Sequence, residues 1–191
     1  MVRRKGEIMK QVYLFLADGF EEVEGLTVVD LLRRASIDVC TVSVTGERLI
    51  HGGHGIDIMA DKLFEECDYA DADMLVLPGG TQGTLQLKEY MPLEELLKAA
   101  YEEKKYIAAV CAAPRILGNL GMLQGRCATS YPGVTKELLG ARVSEAEVVV
   151  DEHIITSRGF GTSIAFALKL IAILQDEESS EKIGASILYK L

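Results

Sequence analysis

The chain has 191 residues, 49% of them apolar and 26% charged, and 29 acidic groups against 20 basic ones give it a net charge of -9. A domain commonly runs to ~100–200 residues, so one domain is expected over residues 9–191, large enough to hold a core without staples. The apolar fraction excludes global disorder, the acid excess argues against a nucleic-acid-binding face, and four cysteines are too few for a disulfide scaffold.

The opening MVRRKGEIMK is basic but lacks the apolar core of a signal peptide. Residues 1–8 therefore read as a flexible extension ahead of Met9, which is an alternative start. Gln11 to Ala17 is a short apolar run closed by Asp18-Gly19, the pattern of a buried strand. Val28, Leu31, Leu32 and Ala35 then recur at helical spacing. Asp38 to Val44 is β-branched and strand-like, and the Gly- and His-bearing stretch Leu49 to Ile58 reads as a β-excursion. Met74 to Leu77 is a strand halted at Pro78-Gly79-Gly80. After Pro92, Leu93, Leu96, Leu97 and Ala100 share a helix face. Tyr106 to Val110 is another buried strand, which must turn at Cys111-Ala112-Ala113-Pro114. Further strands are expected at Cys127 to Tyr131, Val148 to Val150 and His153 to Ser157. A closing helix carries Ile164, Ala167, Leu168, Ile171 and Leu174 on one face. That last stretch is interrupted by Lys169 and is far short of the ~20 residues that cross a bilayer, so no membrane association is expected.

Strands alternating with amphipathic helices predict an α/β fold, with a largely parallel sheet covered by helices on both faces. In such a sheet, sites lie beyond the carboxyl ends of the strands. Three segments there carry chemistry: Asp18 to Glu24, Leu77 to Gly80, and Val110 to Pro114.

Cys111 sits where a strand-turn-helix junction would expose it, with a helix N-terminus to lower its pKa. It reads equally as a small buried hydrophobe. Cys40, Cys67 and Cys127 have no such setting, form no C-x-x-C pair and read as packing residues. Reduced thiols and a cytoplasmic location are expected. Glu21 and Glu22 read as first-turn acids that complement the helix dipole. Glu24 sits beyond Val23 and is placed to face the sheet's carboxyl edge, where burial would keep it protonated. The Gly79-Gly80 pair permits either a tight turn or a turn whose N–H groups stabilise an oxyanion. It lacks the Lys-Ser/Thr of a phosphate loop. Gly159-x-Gly161 reads as the turn before the last helix. His51, His54 and His153 lack metal spacing, so no metal is expected.

Four motifs in order resemble the ThiJ/PfpI (DJ-one) superfamily, in the branch of the Parkinsonism-associated protein deglycase and its bacterial relatives. They are Asp18-Gly-Phe-Glu-Glu-Val-Glu24, Val76-Leu-Pro-Gly-Gly80, Ala109-Val-Cys-Ala-Ala-Pro114, and Thr156-Ser-Arg-Gly159 with Gly161-Thr-Ser163. The resemblance runs from about Gln11 to Leu174. It implies a flavodoxin-like three-layer α/β/α sandwich, commonly a homodimer. It makes Cys111 the oxidation-sensitive elbow cysteine, Glu24 its carboxyl partner, and the Gly80 and Ala112 amides the oxyanion-stabilising pair. Gly79, Arg34, His54 and Tyr131 fall at substrate-side positions.

There are departures from the pattern. Protease-like members carry His directly after the nucleophile, where this chain has Ala112. The downstream His-x-Glu pair of glutamine amidotransferases is absent at His153-Ile-Ile155. His54, in Gly52-Gly-His-Gly55, stands where relatives often carry arginine, and Tyr131 where some carry histidine. Peptide hydrolysis is therefore disfavoured. The expected function is cofactor-free conversion of reactive carbonyls such as methylglyoxal, or their amine adducts, to 2-hydroxy acids. The alternative is a redox-responsive protein or chaperone switched by oxidation of Cys111. A thiamine-precursor role rests on the superfamily's name alone.

Overall fold

Alternation along β1 (Gln11–Leu16) explains the layering. Tyr13 and Phe15 point into one buried cluster, while Val12, Leu14 and Leu16 point into another. A strand covered on both faces has no polar side to show, which is why its sequence is a continuous apolar run. The computed structural model describes residues 10–189. The expected extension, residues 1–8, lies outside the described residues.

Helix α1 (Glu22–Arg34) buries Val28, Leu31 and Leu32 on the second face. Strand β2 (Asp38–Ser43) pairs parallel with β1. The chain then leaves the sheet as a hairpin, β3 (Leu49–His51) with β4 (Asp57–Met59), and returns as β5 (Lys62–Leu63) on the edge of β2. Next come β6 (Met74–Leu77), α2 (Thr81–Glu89), α3 (Met91–Glu102), β7 (Tyr106–Val110) and α4 (Pro114–Asn119). A small pair, β8 (Cys127–Ala128) with β9 (Arg142–Val143), precedes β10 (Val148–Asp151) and β11 (Ile154–Ser157). Helices α5 (Ser163–Leu174) and α6 (Glu177–Ser186) end the described fold.

The main sheet runs β10-β11-β7-β6-β1-β2-β5, parallel except for the antiparallel β10–β11 pair. Helices α1 and α5 cover one face through Leu32, Phe166, Leu170 and Ile171; α2, α3 and α4 cover the other through Leu87, Leu93, Leu97 and Leu117. This is the expected three-layer α/β/α sandwich. The chain order turns back between β1 and β6, and a crevice opens at such a reversal beyond the strands' carboxyl ends.

Three details differ from the sequence reading. The expected strand Cys127–Tyr131 is only two residues long and pairs outside the main sheet. Helix α2 goes unpredicted because its buried positions are Gly83, Thr84 and Leu87, too weak a stripe to see. Helix α6 is polar. It docks on α5 through a Ser180 Oγ hydrogen bond to the Leu168 carbonyl at 2.8 Å, and a Ser179 amide caps it onto Asp176 at 2.7 Å.

Candidate active site

Three chain turns meet beyond the carboxyl ends of β1, β6 and β7. At the end of β7, Cys111 adopts φ +61°, a left-handed conformation that costs a non-glycine residue on the order of 1 kcal/mol. Its neighbours hold it there. The Cys111 amide donates to the Ser157 carbonyl at 3.0 Å, and the Tyr131 amide donates to the Cys111 carbonyl at 2.9 Å. The result is the expected elbow, with the thiol half-buried. Helix α4, which follows, is six residues long.

Glu24, in the first turn of α1, is 1% exposed. The Cys111 thiol and the amides of Gly79 and Phe160 stand close enough to favour its ionised form. Gly79 is obligatory here. A Cβ at that position would run into Glu24 Oε2 and lie 2.6 Å from Cys111 Cβ. Gly80 turns the chain at φ +93°, where a side chain would strike Gly19 O and the Glu21 amide. Across the site, a Cβ on Gly159 would sit 3.5 Å from both Cys111 Sγ and Glu24 Oε1, so this glycine forms the wall of the pair.

The electrostatics centre on one shared proton. Burial, with help from the charge of Glu21, pushes the Glu24 carboxyl up to about 7 against the downward pull of Cys111, Gly79 and Phe160. Burial and the Glu24 carboxylate push the Cys111 thiol up to about 12, while the Ala112 and Gly80 amides favour the thiolate. The lowering expected from a helix N-terminus is overridden, because desolvation and a carboxylate outweigh a six-residue helix. The pair therefore releases its first proton near neutrality and its second far above. Between those steps one proton is divided between sulfur and carboxyl. One of the two arrangements is a thiolate facing a carboxylic acid.

Glu22 is more than a first-turn acid that complements the dipole. Glu22 is 3% exposed and receives the His54 amide at 2.7 Å, His54 Nδ1 at 2.9 Å and the Ile56 amide at 3.4 Å. Burial pushes its carboxyl up, but these bonds prevail and bring it down to about 2. Glu22 thus fastens the turn between β3 and β4 to the first turn of α1, one residue from Val23 and two from Glu24. Sequence reasoning missed this clamp because its partners lie 32 and 34 residues away. Glu21, Glu22 and His54 also bring three potential ligand atoms within 4.8 Å of one another. The hydrogen bonds just described already occupy the Glu22 oxygens.

Among the sequence-predicted residues, Cys111, Glu24, Gly79, Gly80 and Ala112 come together. Tyr131 joins through its backbone and is otherwise exposed, and His54 joins through Glu22. Arg34 does not come within this cluster. It closes α1 in an exposed pair with Asp30 at 2.7 Å, ten residues or about 15 Å of helix from Glu24. His51 and His153 are engaged elsewhere, His51 with Asp57 and His153 tilted against the Tyr101 ring. The Gly159-Phe160 turn was expected only to introduce the last helix, yet it closes the site.

The model of the DJ-1/PfpI family matches residues 10–173. Protein DJ-1 homolog A of Arabidopsis thaliana is 35% identical over 184 residues, 95% of this chain and 47% of the relative, so the chain spans about half of that relative's length. A Pyrococcus abyssi protein named a deglycase is 34% identical over 168 residues, covering 86% of this chain and 99% of the relative. The solved structure described as Toxoplasma gondii DJ-1, oxidized, matches with a TM-score of 0.91 at 34% identity, covering 95% of this chain and 100% of that one. With its elbow cysteine, buried glutamate and paired glycines inside the matched span, the chain belongs to the DJ-1/PfpI family.

Proposed function

We propose that the chain is a cysteine-dependent enzyme that converts small reactive carbonyls, with methylglyoxal or its amine adducts as the test substrates, to 2-hydroxy acids. One observation carries this reading: a fully buried carboxyl that titrates near neutrality lies against a nucleophile-elbow thiol. Such a pair supplies both a nucleophile and a proton carrier matched to neutral pH.

The chemistry follows from those groups. The Cys111 thiolate adds to the aldehyde carbon, and the C=O π pair moves to oxygen. The Gly80 and Ala112 amides, which already favour negative charge at sulfur, hold the developing oxyanion. Glu24, a carboxylic acid while the thiolate attacks, gives its proton to that oxyanion; its carboxylate then takes the proton from the former aldehyde carbon, and the hydroxyl proton shifts to the neighbouring oxygen in the resulting enediolate. Glu24 then returns a proton to the neighbouring carbon, leaving a 2-hydroxy thioester. Water attacks that thioester, expels the thiolate and releases the acid. One carbon is oxidised and its neighbour reduced, so the reaction balances with water as the sole co-reactant. Peptide hydrolysis fits less well, because no imidazole accompanies Cys111 to protonate an amine leaving group. The proposed assembly is a homodimer. Exposed Val23, Ile56 and Phe160 around the first turn of α1 favour it, and sedimentation reads it directly.

Methylglyoxal consumption by wild type, Cys111→Ser and Glu24→Ala tests the mechanism. Wild type turns over, the serine variant falls to the background rate, and the alanine variant loses roughly 10²–10⁴-fold. Persistent activity in Cys111→Ser would reject the mechanism. A second reading, oxidation of Cys111 as a signal, is favoured by the likeness to a structure described as oxidized. It requires mild peroxide to add two oxygens to Cys111 ahead of any other cysteine.

A further inference from the structure

Two cysteines outside the site are far apart in sequence and adjacent in space. Cys40 lies in β2, facing the same buried cluster as Tyr13, its register partner on β1. Cys67 follows the short helical turn Phe64–Glu66 after β5 and packs against that cluster. Tyr13 bridges them, opposite Cys40 on β1 and hydrogen-bonded at its hydroxyl to the residue after Cys67, so both thiols lie in one cluster, close enough for Cys67 to help raise the Cys40 thiol. Each also faces a carbonyl, Cys67 Sγ the Leu63 carbonyl at 3.5 Å and Cys40 Sγ the Thr41 carbonyl at 3.8 Å. Aromatic rings enclose them. Tyr69 meets Tyr13 edge-on at 4.9 Å, and its hydroxyl donates to the Phe64 carbonyl at 2.9 Å. The Tyr13 hydroxyl donates to the carbonyl of Asp68, next to Cys67, at 2.7 Å.

We propose that Cys40 and Cys67 form a second redox site, a dithiol that hydroperoxides convert to an intramolecular disulfide independently of Cys111. Accessibility sets the order of events. Cys67 is partly exposed and Cys40 is buried, so Cys67 meets the oxidant first. The Cys67 thiolate attacks a peroxide oxygen and breaks the O–O bond. This forms a sulfenic acid and releases water, or an alcohol from an organic hydroperoxide. Cys40 gives up its proton and attacks the Cys67 sulfur, forming the S–S bond and breaking the S–O bond as water leaves. Two electrons pass from the dithiol to the peroxide.

Topology gives this bond a consequence. Between the two cysteines the chain leaves the sheet, forms the β3–β4 hairpin held by Glu22, and returns through the Val42–Lys62 and Ser43–Leu63 pairs. The disulfide ties the base of that excursion to the strand it departs from. Sequence reading assigned both cysteines to packing, because nothing in a 27-residue separation reveals that β5 brings them back together.

The test is peptide mapping under non-reducing conditions after mild hydrogen peroxide, on wild type and Cys111→Ser, folded and in guanidinium. A Cys40–Cys67 cross-link, two hydrogens lighter than the thiols and reversed by dithiothreitol, is expected in both folded proteins. It should form at least about tenfold faster than in guanidinium, since the fold gathers both thiols in one cluster. The cross-linked form should melt on the order of 10 °C higher, through loop closure. Cys67 driven to sulfinic acid while Cys40 stays alkylatable would overturn the proposal. So would cross-linking to Cys127, or a rate no faster when folded. Success in Cys111→Ser separates this site from the fate of the carbonyl-converting reading.

Discussion

Replacing Glu24 with glutamine is expected to make the protein more stable as pH rises. Glu24 is 1% exposed, and its carboxyl is raised from 4.5 to about 7, mainly by burial. Below pH 4.5 the folded and unfolded chains both hold this proton, and ionisation contributes nothing to their difference. Between 4.5 and 7 the unfolded chain ionises while the folded one does not, so wild-type stability falls across that window and levels off above it. The raised pKa therefore corresponds to stability present at low pH and lost as pH climbs through 7. At 1.36 kcal/mol per pK unit, the loss comes to about 3 kcal/mol. Glutamine carries no such proton. Urea unfolding of wild type and Glu24→Gln from pH 4.5 to 8 should show their difference moving in the variant's favour by about that amount. A packing cost of the amide would offset every point equally and leave the slope intact. A difference that stays constant across the window would refute the claim that Glu24 is buried near neutrality's edge.

Gly79→Ala should cost roughly 1–3 kcal/mol in thermal or urea unfolding and abolish carbonyl turnover, because the added methyl occupies the space of Glu24 Oε2 and Cys111 Cβ. A variant with wild-type melting and turnover would contradict that packing. Glu22→Gln should loosen the turn at residues 52–56, where amide hydrogen exchange rises about tenfold, corresponding to loss of 1–2 kcal/mol of charge-assisted bonding. Unchanged exchange there would mean that the clamp does not hold the hairpin. Because the Glu22 carboxyl is depressed to about 2, its contribution is present above pH 4.5 and lost as pH falls toward 2. Wild type should shed this protection on acidification, and Glu22→Gln should not.

How much was legible in the sequence follows from what kind of interaction built each part. Cys111, Glu24 and the Gly79-Gly80 pair each follow a short apolar strand, and parallel strands deliver their carboxyl ends to one edge. Local patterns therefore converge on one place once the sheet is predicted. Glu22 was misread because a first-turn acid looks the same whether it faces water or receives two amides from a hairpin 32 and 34 residues on. Gly159 was read as a turn, since its contact with Cys111 and Glu24 needs the β11–α5 junction set beside β7. The gathering of Cys40 and Cys67 in one cluster depends on the return of β5 to β2, which a two-residue strand does not announce. The thiol pKa reversed its expected direction because desolvation by tertiary packing cannot be read from a strand-turn-helix pattern.

In the proposed chemistry Cys111 and Glu24 share a proton and act as one unit. The rate of Cys111 alkylation by iodoacetamide as a function of pH, in wild type and Glu24→Gln, tests it most directly. Wild-type reactivity should rise with an inflection near pH 7, level off, and rise again only at strongly alkaline pH. The glutamine variant should lack the inflection near 7 and show a single alkaline one. Superimposable profiles with one ordinary thiol titration in both proteins would show that sulfur and carboxyl share no proton.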